Sequence, residues 1–387
     1  MTRKIAIVTG TRAEWGLLSG IARSLDSRDD VTVSIIATNM HLDPRYGHTV
    51  DEIIADGFTV AERVPMDVEG DSEVHRVKAM ARCMSGMADA FSRLRPDMVV
   101  ILGDRYEMLA TASTALMMLI PIIHIAGGEI SEGAVDDSIR HAITKMSALH
   151  LTATEEYRNR VIQMGEDPAL VINTGAIGVY NLANEPMMTR EELEASIGFS
   201  LGGRSVLVTY HPATLDNGSP SGKFDMLTDA LDRFPDVNVI MTYPNNDANG
   251  REIIDRIESY AAGNPSRVRA IPSLGKRRYL SALHYVDAVV GNSSSGIVEV
   301  PSMHIPTVDI GMRQQGRLRS ASVIHCEDDT DEIASAISLA LSDRGRELAR
   351  AATNPYYKPD TLRLITETIA TVPLESLKVK HFHDING

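Results

Sequence analysis

Short apolar runs rich in β-branched residues alternate with longer amphipathic stretches from one end of the chain to the other. This pattern is typical of buried strands that are connected by helices. Because parallel strands need a long crossover connection, the alternation predicts parallel sheets with helices on both faces. The pattern pauses between Gly175 and Arg190, where Gly, Asn, Pro and Met dominate, and then restarts. We therefore predict two α/β units that meet near residue 180.

The same periodicity predicts the individual elements. In the first unit the predicted strands are Lys4–Thr9, Val31–Ala37, Met98–Leu102, Ile122–Ile125, Leu149–Ala153 and Val171–Asn173. The helices predicted there are Leu17–Leu25, Val74–Leu94, Tyr106–Leu119, Ile139–Met146 and Glu155–Met164. In the second unit the predicted strands are Ser205–Tyr210, Val237–Thr242, Ala288–Gly291 and Thr307–Ile310. The helices predicted there are Phe224–Phe234, Glu252–Ala261, Tyr279–Tyr285 and Glu332–Leu341.

Composition restricts the partners of the chain. The 387 residues carry a formal net charge of -14, whereas a nucleic-acid-binding surface needs an excess of Lys and Arg. Cys83 and Cys326 lie far apart and form no metal-ligand pattern, which favours a reducing compartment without disulfides. The apolar run Ile5–Val8 is too short for a signal peptide, and no stretch approaches the length of a membrane span. We expect a cytoplasmic protein that binds neither nucleic acid nor membrane.

Polar motifs follow the predicted strands of the first unit, at the carboxyl ends where open α/β sheets bind ligands. The segment GTRAEWG after the first strand lacks the spacing of a dinucleotide fingerprint, so it does not support a nicotinamide cofactor. Its strand-to-helix turn offers N–H groups, and Arg12 adds a fork-shaped donor that suits phosphate. The alternative is a tight turn with a solvated arginine.

Acidic residues gather after two further strands of this unit. Asp104 follows the strand Met98–Leu102, and HIAGGE, which ends at Glu129, leads to Asp136. Neighbouring carboxylates raise at least one pKa, as proton transfer near neutral pH requires. The alternatives are a helix cap for Asp104 and a solvated acidic loop for the other two.

The second unit has its own strand-end motifs. His211 comes directly after a strand, where its titration range suits proton transfer or a diphosphate contact, although a structural role is common at such positions. YPNND, which includes Asn245, follows the next strand. GMRQQGR follows the last predicted strand and supplies Arg313 and Arg317. Surface arginines are common, so this last motif is weak evidence alone.

GNSSSGIVE is the sharpest local motif. Its hydroxyl and N–H groups, including those of Ser293 and Ser294, suit a diphosphate, whereas a simple helix cap would need one hydroxyl. We expect Glu299 one turn into the following helix, within reach of a ribose diol. The segment therefore predicts nucleotide binding.

In order and position, these motifs resemble the hydrolysing UDP-N-acetylglucosamine 2-epimerases, which begin sialic acid synthesis. The resemblance runs over nearly the whole chain, through GTRAEWG, GDRYE, HIAGGE, DDSIRHAITK, YHP, YPNND, GNSSSGIVEVP and GMRQQGR. It implies two Rossmann-like domains in the GT-B arrangement with the active site in the interdomain cleft. The implied boundaries are 1–178, 179–355 and a C-terminal segment 356–387, in which the pattern Leu362–Ile369 is a helix that returns to the first domain.

The resemblance also implies a reaction without a metal or redox cofactor. A base removes the C2 proton of the sugar while the nucleoside diphosphate leaves C1. Water then adds to the 2-acetamidoglucal intermediate, and a proton returns to C2 from the opposite face to give N-acetylmannosamine. By position, the implied catalytic residues are Asp104, Glu129, Asp136 and His211. The implied substrate contacts are Arg12, Arg105, Asn245, Ser293, Ser294, Glu299 and Arg313.

One position departs from the family pattern. Many members have HIEGGE with a catalytic glutamate two residues after the histidine, whereas this chain has Ala126. Glu129 is retained, so either it or another group serves as the C2 base. The smaller side chain also favours, slightly, the relatives that act on a 2,4-diacetamido-6-deoxy sugar nucleotide in legionaminic acid synthesis.

Other activities remain open at this stage. A non-hydrolysing epimerase would keep the diphosphate linkage, and a retaining glycosyltransferase of this architecture would need an acceptor site. A non-catalytic nucleotide-sugar-binding protein would not need several titratable groups at one site. Related enzymes are oligomeric, so the resemblance implies a homodimer or homotetramer with a nucleotide-sugar substrate.

Overall fold

A computed structural model describes residues 2–67, 70, 72–132, 134–184, 186–212, 218–244 and 250–385. The chain divides into two compact units. Unit 1 comprises residues 1–129, 136–181 and 358–387, and unit 2 comprises residues 130–135 and 182–357. Within the described ranges, no helix has the length and apolar composition that crossing a membrane would require.

Unit 1 contains a parallel sheet of seven strands in the order β3-β2-β1-β4-β5-β6-β7. Its strands are β1 (Arg3–Thr9), β2 (Val31–Thr38), β3 (Val60–Val64), β4 (Met98–Leu102), β5 (Ile122–Ile125), β6 (Leu149–Thr152) and β7 (Val171–Asn173). The central strand β1 aligns Ile5 with Val33 of β2 and with Met98 of β4. Every residue of β4 is buried, as expected for a strand that is covered on both faces.

The helices of unit 1 cover both faces of this sheet. They are α1 (Arg12–Asp26), α2 (Val50–Ala55), α3 (Glu73–Leu94), α4 (Tyr106–Met117), α5 (Asp136–Met146), α6 (Glu155–Gln163), α7 (Ile177–Asn184), α15 (Thr361–Thr371) and α16 (Leu374–Lys378). One apolar core contains residues of α1 and α15, such as Leu18 and Ile365. The other contains residues of α3 and α4, such as Met87 and Met108. Helix α7 continues past residue 181 into unit 2.

Unit 2 contains a parallel sheet of six strands in the order β10-β9-β8-β11-β12-β13. Its strands are β8 (Ser205–Thr209), β9 (Asn238–Thr242), β10 (Val268–Ile271), β11 (Ala288–Gly291), β12 (Thr307–Ile310) and β13 (Val323–Cys326). Its helices are α8 (Arg190–Ile197), α9 (Pro220–Leu231), α10 (Gly250–Gly263), α11 (Gly275–Tyr285), α12 (Ser294–Val298), α13 (Thr330–Ala340) and α14 (Asp343–Ala351). Two apolar cores again line the two faces of the sheet.

Short 3-10 turns complete the two units. They are Asn39–Leu42, Pro44–Tyr46, Pro168–Leu170, Val300–Met303 and Met312–Gln314. The α/β class with two parallel sheets is confirmed. The region around Gly175–Arg190, which lacks a clear periodic pattern, nevertheless forms α7. The strands β3, β10 and β13 were not predicted from the sequence, and all three are edge strands.

Candidate functional site

Strand order defines one position in each sheet where a ligand is expected. In unit 1 the chain builds β2 and β3 on one side of β1 and then continues with β4 on the other side. In unit 2 it builds β9 and β10 on one side of β8 and continues with β11 on the other. Open α/β sheets bind ligands at the carboxyl ends of strands where the order reverses. The loops after β1 and β4, and those after β8 and β11, are therefore the candidate site regions, which we call switch point 1 and switch point 2.

At switch point 1, two N–H groups of the loop after β1 are hydrogen-bonded to a side chain at the start of α1. The Glu14 carboxylate accepts hydrogen bonds from the N–H groups of Gly10 at 2.6 Å and Thr11 at 3.2 Å. In return the Thr11 hydroxyl accepts from the Glu14 N–H, which completes a capping box at the start of α1. These N–H groups thus already have a partner within the loop. Arg12, the first residue of α1, forms an ion pair with Glu52 at 2.6 Å.

A second carboxyl group lies against the same loop. Glu107, in the first turn of α4, is fully buried and accepts a hydrogen bond from Nε of Arg105 at 2.8 Å. A Cβ atom on Gly10 would lie 2.6 Å from Oε1 of Glu107, so this close approach requires glycine. Burial and then the negative charge of Glu107 raise the pKa of Glu14 to about 8. Among the described residues, Glu14 Oε1 and Glu107 Oε2 are buried without a hydrogen-bond partner.

The buried Arg140 connects the loop after β4 with the HIAGGE loop and the start of α5. Its Nη2 donates to the Asp104 carboxylate after β4, and its Nη1 donates to the Glu129 carbonyl at 2.9 Å. Nη1 also lies 3.5 Å from Oδ1 of Asp137. Asp136 begins α5, and its spacing of one helical turn places it on the face that carries Arg140. The Arg140 guanidinium thus joins the Asp104 carboxylate to the main chain of Glu129, and Asp136 lies one helical turn before Arg140 on α5.

In the HIAGGE segment, His124 has a structural role, and position 126 lacks the carboxyl group that many family members have. Burial lowers the pKa of His124 to about 3, so its imidazole is neutral. Its Nε2 donates to the Gly103 carbonyl at 2.8 Å, and Nδ1 lies 3.1 Å from the Thr144 hydroxyl. Ala126 has a left-handed φ of 66° and packs against the apolar core that contains Leu18. No carboxyl group stands at position 126, and His124 serves to join β5 to the loop after β4.

At switch point 2, one amide side chain holds the loop after β8. Oδ1 of Asn292 accepts from the His211 N–H at 2.7 Å, and Nδ2 donates to the His211 carbonyl at 2.8 Å. The carbonyl of Asn292 accepts from Nη1 of Arg313 at 3.0 Å and from Nε2 of Gln314 at 2.8 Å. His211 and Asn292 are both buried. The predicted residues His211 and Arg313 therefore both meet at Asn292.

The remaining predicted residues of unit 2 lie on and around α12. Ser293 precedes this helix and Ser294 is its exposed first residue. We expected Glu299 one turn inside the helix. Because α12 has only five residues, Glu299 instead comes just after the helix ends. Burial and then the charge of Glu299 raise the pKa of Tyr279 on α11, so these two side chains are neighbours. Asn245 lies outside the described residues.

Four polar side chains of these sites were not singled out from the sequence. Arg140 lies four residues after Asp136 in DDSIRH, and this helical spacing could have identified it. Asn292 is part of GNSSSG, a motif whose predicted role rests on its hydroxyl and N–H groups and not on the amide. The pair Glu14 and Glu107 depends on β1 and β4 being neighbours, which no local pattern reveals. Within the described ranges, no group of His, Cys, Asp and Glu is arranged to hold a metal ion.

Comparisons with known proteins agree on one family. The UDP-N-acetylglucosamine 2-epimerase family model matches residues 23–370. The chain is 37% identical over 384 residues to a GDP/UDP-N,N'-diacetylbacillosamine 2-epimerase (hydrolyzing) of Campylobacter jejuni, with 99% of each chain covered. It is 36% identical to the polysialic acid biosynthesis protein P7 of Escherichia coli, with 99% of this chain and 98% of that protein covered.

The fold comparison points in the same direction. The structure of UDP-GlcNAc 2-epimerase from Neisseria meningitidis bound to UDP-GlcNAc matches with a TM-score of 0.78, over 95% of this chain and 99% of that chain. Its sequence identity is only 16%, so this likeness concerns the fold. Together with the family model, which covers most of the chain, the full-length relative at 37% identity settles membership. The chain belongs to the UDP-N-acetylglucosamine 2-epimerase family, as its sequence motifs predict.

Proposed function

We propose that this protein is a hydrolysing 2-epimerase that cleaves a nucleotide-linked 2-acetamido sugar and inverts the configuration at C2. The observation that carries this proposal is that the buried Arg140 binds the Asp104 carboxylate and the Glu129 main chain, with Asp136 one turn before it on α5. Binding alone does not require several titratable groups, whereas two successive proton transfers do. The full-length Campylobacter relative, whose name specifies a hydrolysing epimerase, supports the same activity.

In this proposal unit 1 carries out the proton transfers. A carboxylate from this group removes the C2 proton as the bond between C1 and the diphosphate oxygen breaks, and the 2-acetamidoglucal forms. Water then adds at C1, and a proton is delivered to the opposite face of C2. Because Ala126 offers no proton acceptor, we assign the role of C2 base to one of Asp104, Glu129 and Asp136. Arg140 compensates the negative charge of Asp104 and fixes its orientation.

Unit 2 binds the nucleotide. The leaving diphosphate gains negative charge in the transition state, and fixed donors aimed at that charge accelerate its departure. We assign this role to His211, Arg313, Ser293 and Ser294, and the ribose contact to Glu299. Arg12 and Arg105 are assigned supporting contacts with the substrate, although each is engaged with a glutamate here. Asn245 keeps its assignment by position only.

The substrate that we favour is the UDP- or GDP-linked 2,4-diacetamido-2,4,6-trideoxy sugar of the legionaminic acid route. The Campylobacter relative is named for that sugar. Ala126 agrees with this choice, since it packs in an apolar environment and presents a methyl group instead of a carboxylate. UDP-N-acetylglucosamine, which would yield N-acetylmannosamine for sialic acid synthesis, is the second candidate, and the family description favours it.

Proton NMR of reactions in heavy water tests both the chemistry and the substrate. The purified protein is given equal concentrations of UDP-N-acetylglucosamine and the diacetamido sugar nucleotides, first separately and then in competition. Free nucleoside diphosphate together with a 2-epimeric sugar deuterated at C2 is the expected result. Release of the diphosphate with the C2 proton retained would contradict the glucal route. An epimeric sugar that is still linked to the diphosphate would contradict hydrolysis.

The competition decides between the two sugars. Faster turnover of the diacetamido sugar is expected. Preference for UDP-N-acetylglucosamine would overturn the substrate assignment while leaving the reaction type intact. An Ala126→Glu variant provides a matched comparison, because it restores the residue that many family members have. We expect this variant to shift the preference toward UDP-N-acetylglucosamine.

A further inference from the structure

The side chain of Asn292 has both of its polar atoms bonded to the main chain of a single residue, His211. We propose that Asn292 is a positioning residue, which sets the direction of the His211 imidazole and the location of the Arg313 guanidinium for nucleotide binding. The proposal rests on the function proposed above, in which His211 and Arg313 contact the diphosphate. It adds a residue that touches neither the reacting atoms nor the nucleotide in that scheme.

The geometry explains why an amide is needed at this position. A carboxamide presents one acceptor and one donor side by side, and the main chain of His211 presents the matching donor and acceptor. Asn292 is 2% exposed and His211 is 6% exposed, so water cannot easily replace either bond. With its N–H and its carbonyl both fixed, His211 keeps one backbone orientation. The imidazole therefore leaves the main chain in one direction.

The main chain of Asn292 performs a second task. Its carbonyl accepts hydrogen bonds from Arg313 at 3.0 Å and Gln314 at 2.8 Å, both of which follow β12. Gln314 is itself 2% exposed. One residue thus connects the ends of three neighbouring strands, β8, β11 and β12. A shift of Asn292 would displace His211 through the side chain and Arg313 through the carbonyl.

A double-mutant cycle with UDP as the ligand, and GDP in parallel, tests this role. Isothermal titration calorimetry measures the Kd of the wild type, Asn292→Ala, His211→Ala and the double variant. We expect Asn292→Ala to weaken binding about tenfold and to lower kcat/KM about 100-fold, because a small misplacement of a contact group has a large effect. In the His211→Ala background, the part of the loss that acts through His211 disappears, so the same change should weaken binding by clearly less than tenfold. Losses that simply add would overturn the positioning role.

A matched control separates positioning from general damage. The Thr209 and Thr242 hydroxyl groups are hydrogen-bonded at 2.6 Å at the ends of β8 and β9. Thr242→Val removes this partly buried hydrogen bond without changing a contact of His211, and we expect wild-type kinetics from it. If Asn292→Ala fails to fold, Gln314→Leu tests the same connection from the β12 side. A higher Kd for UDP is expected, and an unchanged Kd would contradict the proposal.

The cycle also distinguishes failure of this inference from failure of the proposed function. Nucleotide binding is measured without turnover. A coupled cycle in a protein that hydrolyses no sugar nucleotide would support the positioning role and refute the proposed reaction. Additive losses in a protein with the expected turnover would refute the positioning role alone.

Discussion

The two switch points solve the same structural problem with different chemistry. In each, a glycine at the end of a strand allows a close neighbour, which is a helix side chain at Gly10 and the adjacent strand at Gly291. A Cβ atom at Gly10 would lie 2.6 Å from the Glu107 carboxyl group, and one at Gly291 would lie 2.0 Å from the Thr209 carbonyl. In each, buried polar groups also hold the loop. At switch point 1 these groups are carboxyls, whereas at switch point 2 the Asn292 amide performs the task without any charge.

The difference follows the chemistry proposed for each unit. Proton transfer needs carboxyl groups whose charge is tuned by neighbours, and switch point 1 concentrates them around Arg105 and Arg140. A leaving diphosphate needs fixed donors, and surplus carboxylates nearby would repel it. A neutral amide holds the second loop without adding such repulsion. The comparison therefore predicts that loss of a catalytic carboxylate in unit 1 lowers kcat with little effect on nucleotide affinity, while loss of a donor in unit 2 weakens nucleotide binding.

The largest effect is expected from Asp104→Asn. The substitution keeps the size of the side chain but removes its capacity to accept a proton, so kcat should fall by about 10²- to 10⁴-fold, while the Kd for UDP stays close to that of the wild type. Steady-state kinetics and calorimetry measure the two quantities. Asp136→Asn should behave in the same way.

Asp97→Asn is a matched control for Asp104, because Asp97 precedes β4 and its carboxylate accepts a hydrogen bond from the Lys4 N–H at 2.8 Å. The asparagine oxygen can still accept that bond. Activity close to that of the wild type is expected. If the Asp104 and Asp136 variants both turn over at the wild-type rate, the catalytic assignment fails.

Glu14→Gln tests whether the switch-point-1 carboxyls make stability depend on pH. A glutamate in the unfolded chain has an ordinary pKa of 4.5, whereas burial and the charge of Glu107 raise the pKa of Glu14 to about 8 in the folded protein. The folded protein thus holds a proton that the unfolded chain has already lost. Stability must therefore fall as the pH rises from 4.5 to about 8, by at most about 1.4 kcal/mol per pH unit.

A glutamine at position 14 cannot ionise, and its amide can donate to Glu107 while its oxygen caps the loop. Urea unfolding across this pH range should show a flatter profile for the variant, with the largest gain at the alkaline end. Glu347→Gln, at an exposed position on α14, is the control and should leave the profile unchanged. If the stability of the variant falls with pH as steeply as that of the wild type, ionisation of Glu14 is not the cause of the pH dependence.

The two glycines should differ in their tolerance of alanine. Gly291 has a φ of 134°, and the obstacle to a Cβ is a backbone oxygen of a neighbouring strand that cannot move away. Gly291→Ala should therefore destabilise unit 2 by about 3 kcal/mol or more. Gly10→Ala meets the end of a side chain and should lower stability by about 1–3 kcal/mol. Thermal unfolding measures both, and equal losses would contradict the distinction.

The sequence predicted the centre of each sheet better than its edges. Met98–Leu102, Ile122–Ile125 and Ala288–Gly291 have the same bounds in the structure as in the sequence analysis, because strands buried on both faces form continuous apolar runs. The edge strands β3 (VAERV), β10 (VRAI) and β13 (VIHC) carry charged or polar residues. One side of an edge strand faces solvent, so its pattern is weak and short.

For the candidate site, the sequence indicated strand ends but not partners. The rule that ligands bind at carboxyl ends of parallel strands was sufficient to select Asp104, His211 and Ser293. It could not select Arg140 or Asn292, because their importance comes from what they touch after folding. Those contacts depend on the order of the strands in each sheet, and no local sequence pattern predicts that order.

The most local effect is expected from Arg313→Gln, which acts on nucleotide affinity. The Arg313 guanidinium donates to the Asn292 carbonyl with Nη1, which orients the remaining N–H groups of its fork. Loss of a charge-assisted hydrogen bond to the diphosphate should weaken UDP binding about 10- to 100-fold. Because the proton-transferring carboxyls belong to unit 1, kcat at saturating substrate should change less than the Kd. Arg344→Gln, an exposed substitution on α14, should alter neither. A variant with normal UDP affinity and a greatly reduced kcat would contradict the proposed nucleotide contact, since Arg313 would then act on the reacting sugar and not on the bound diphosphate.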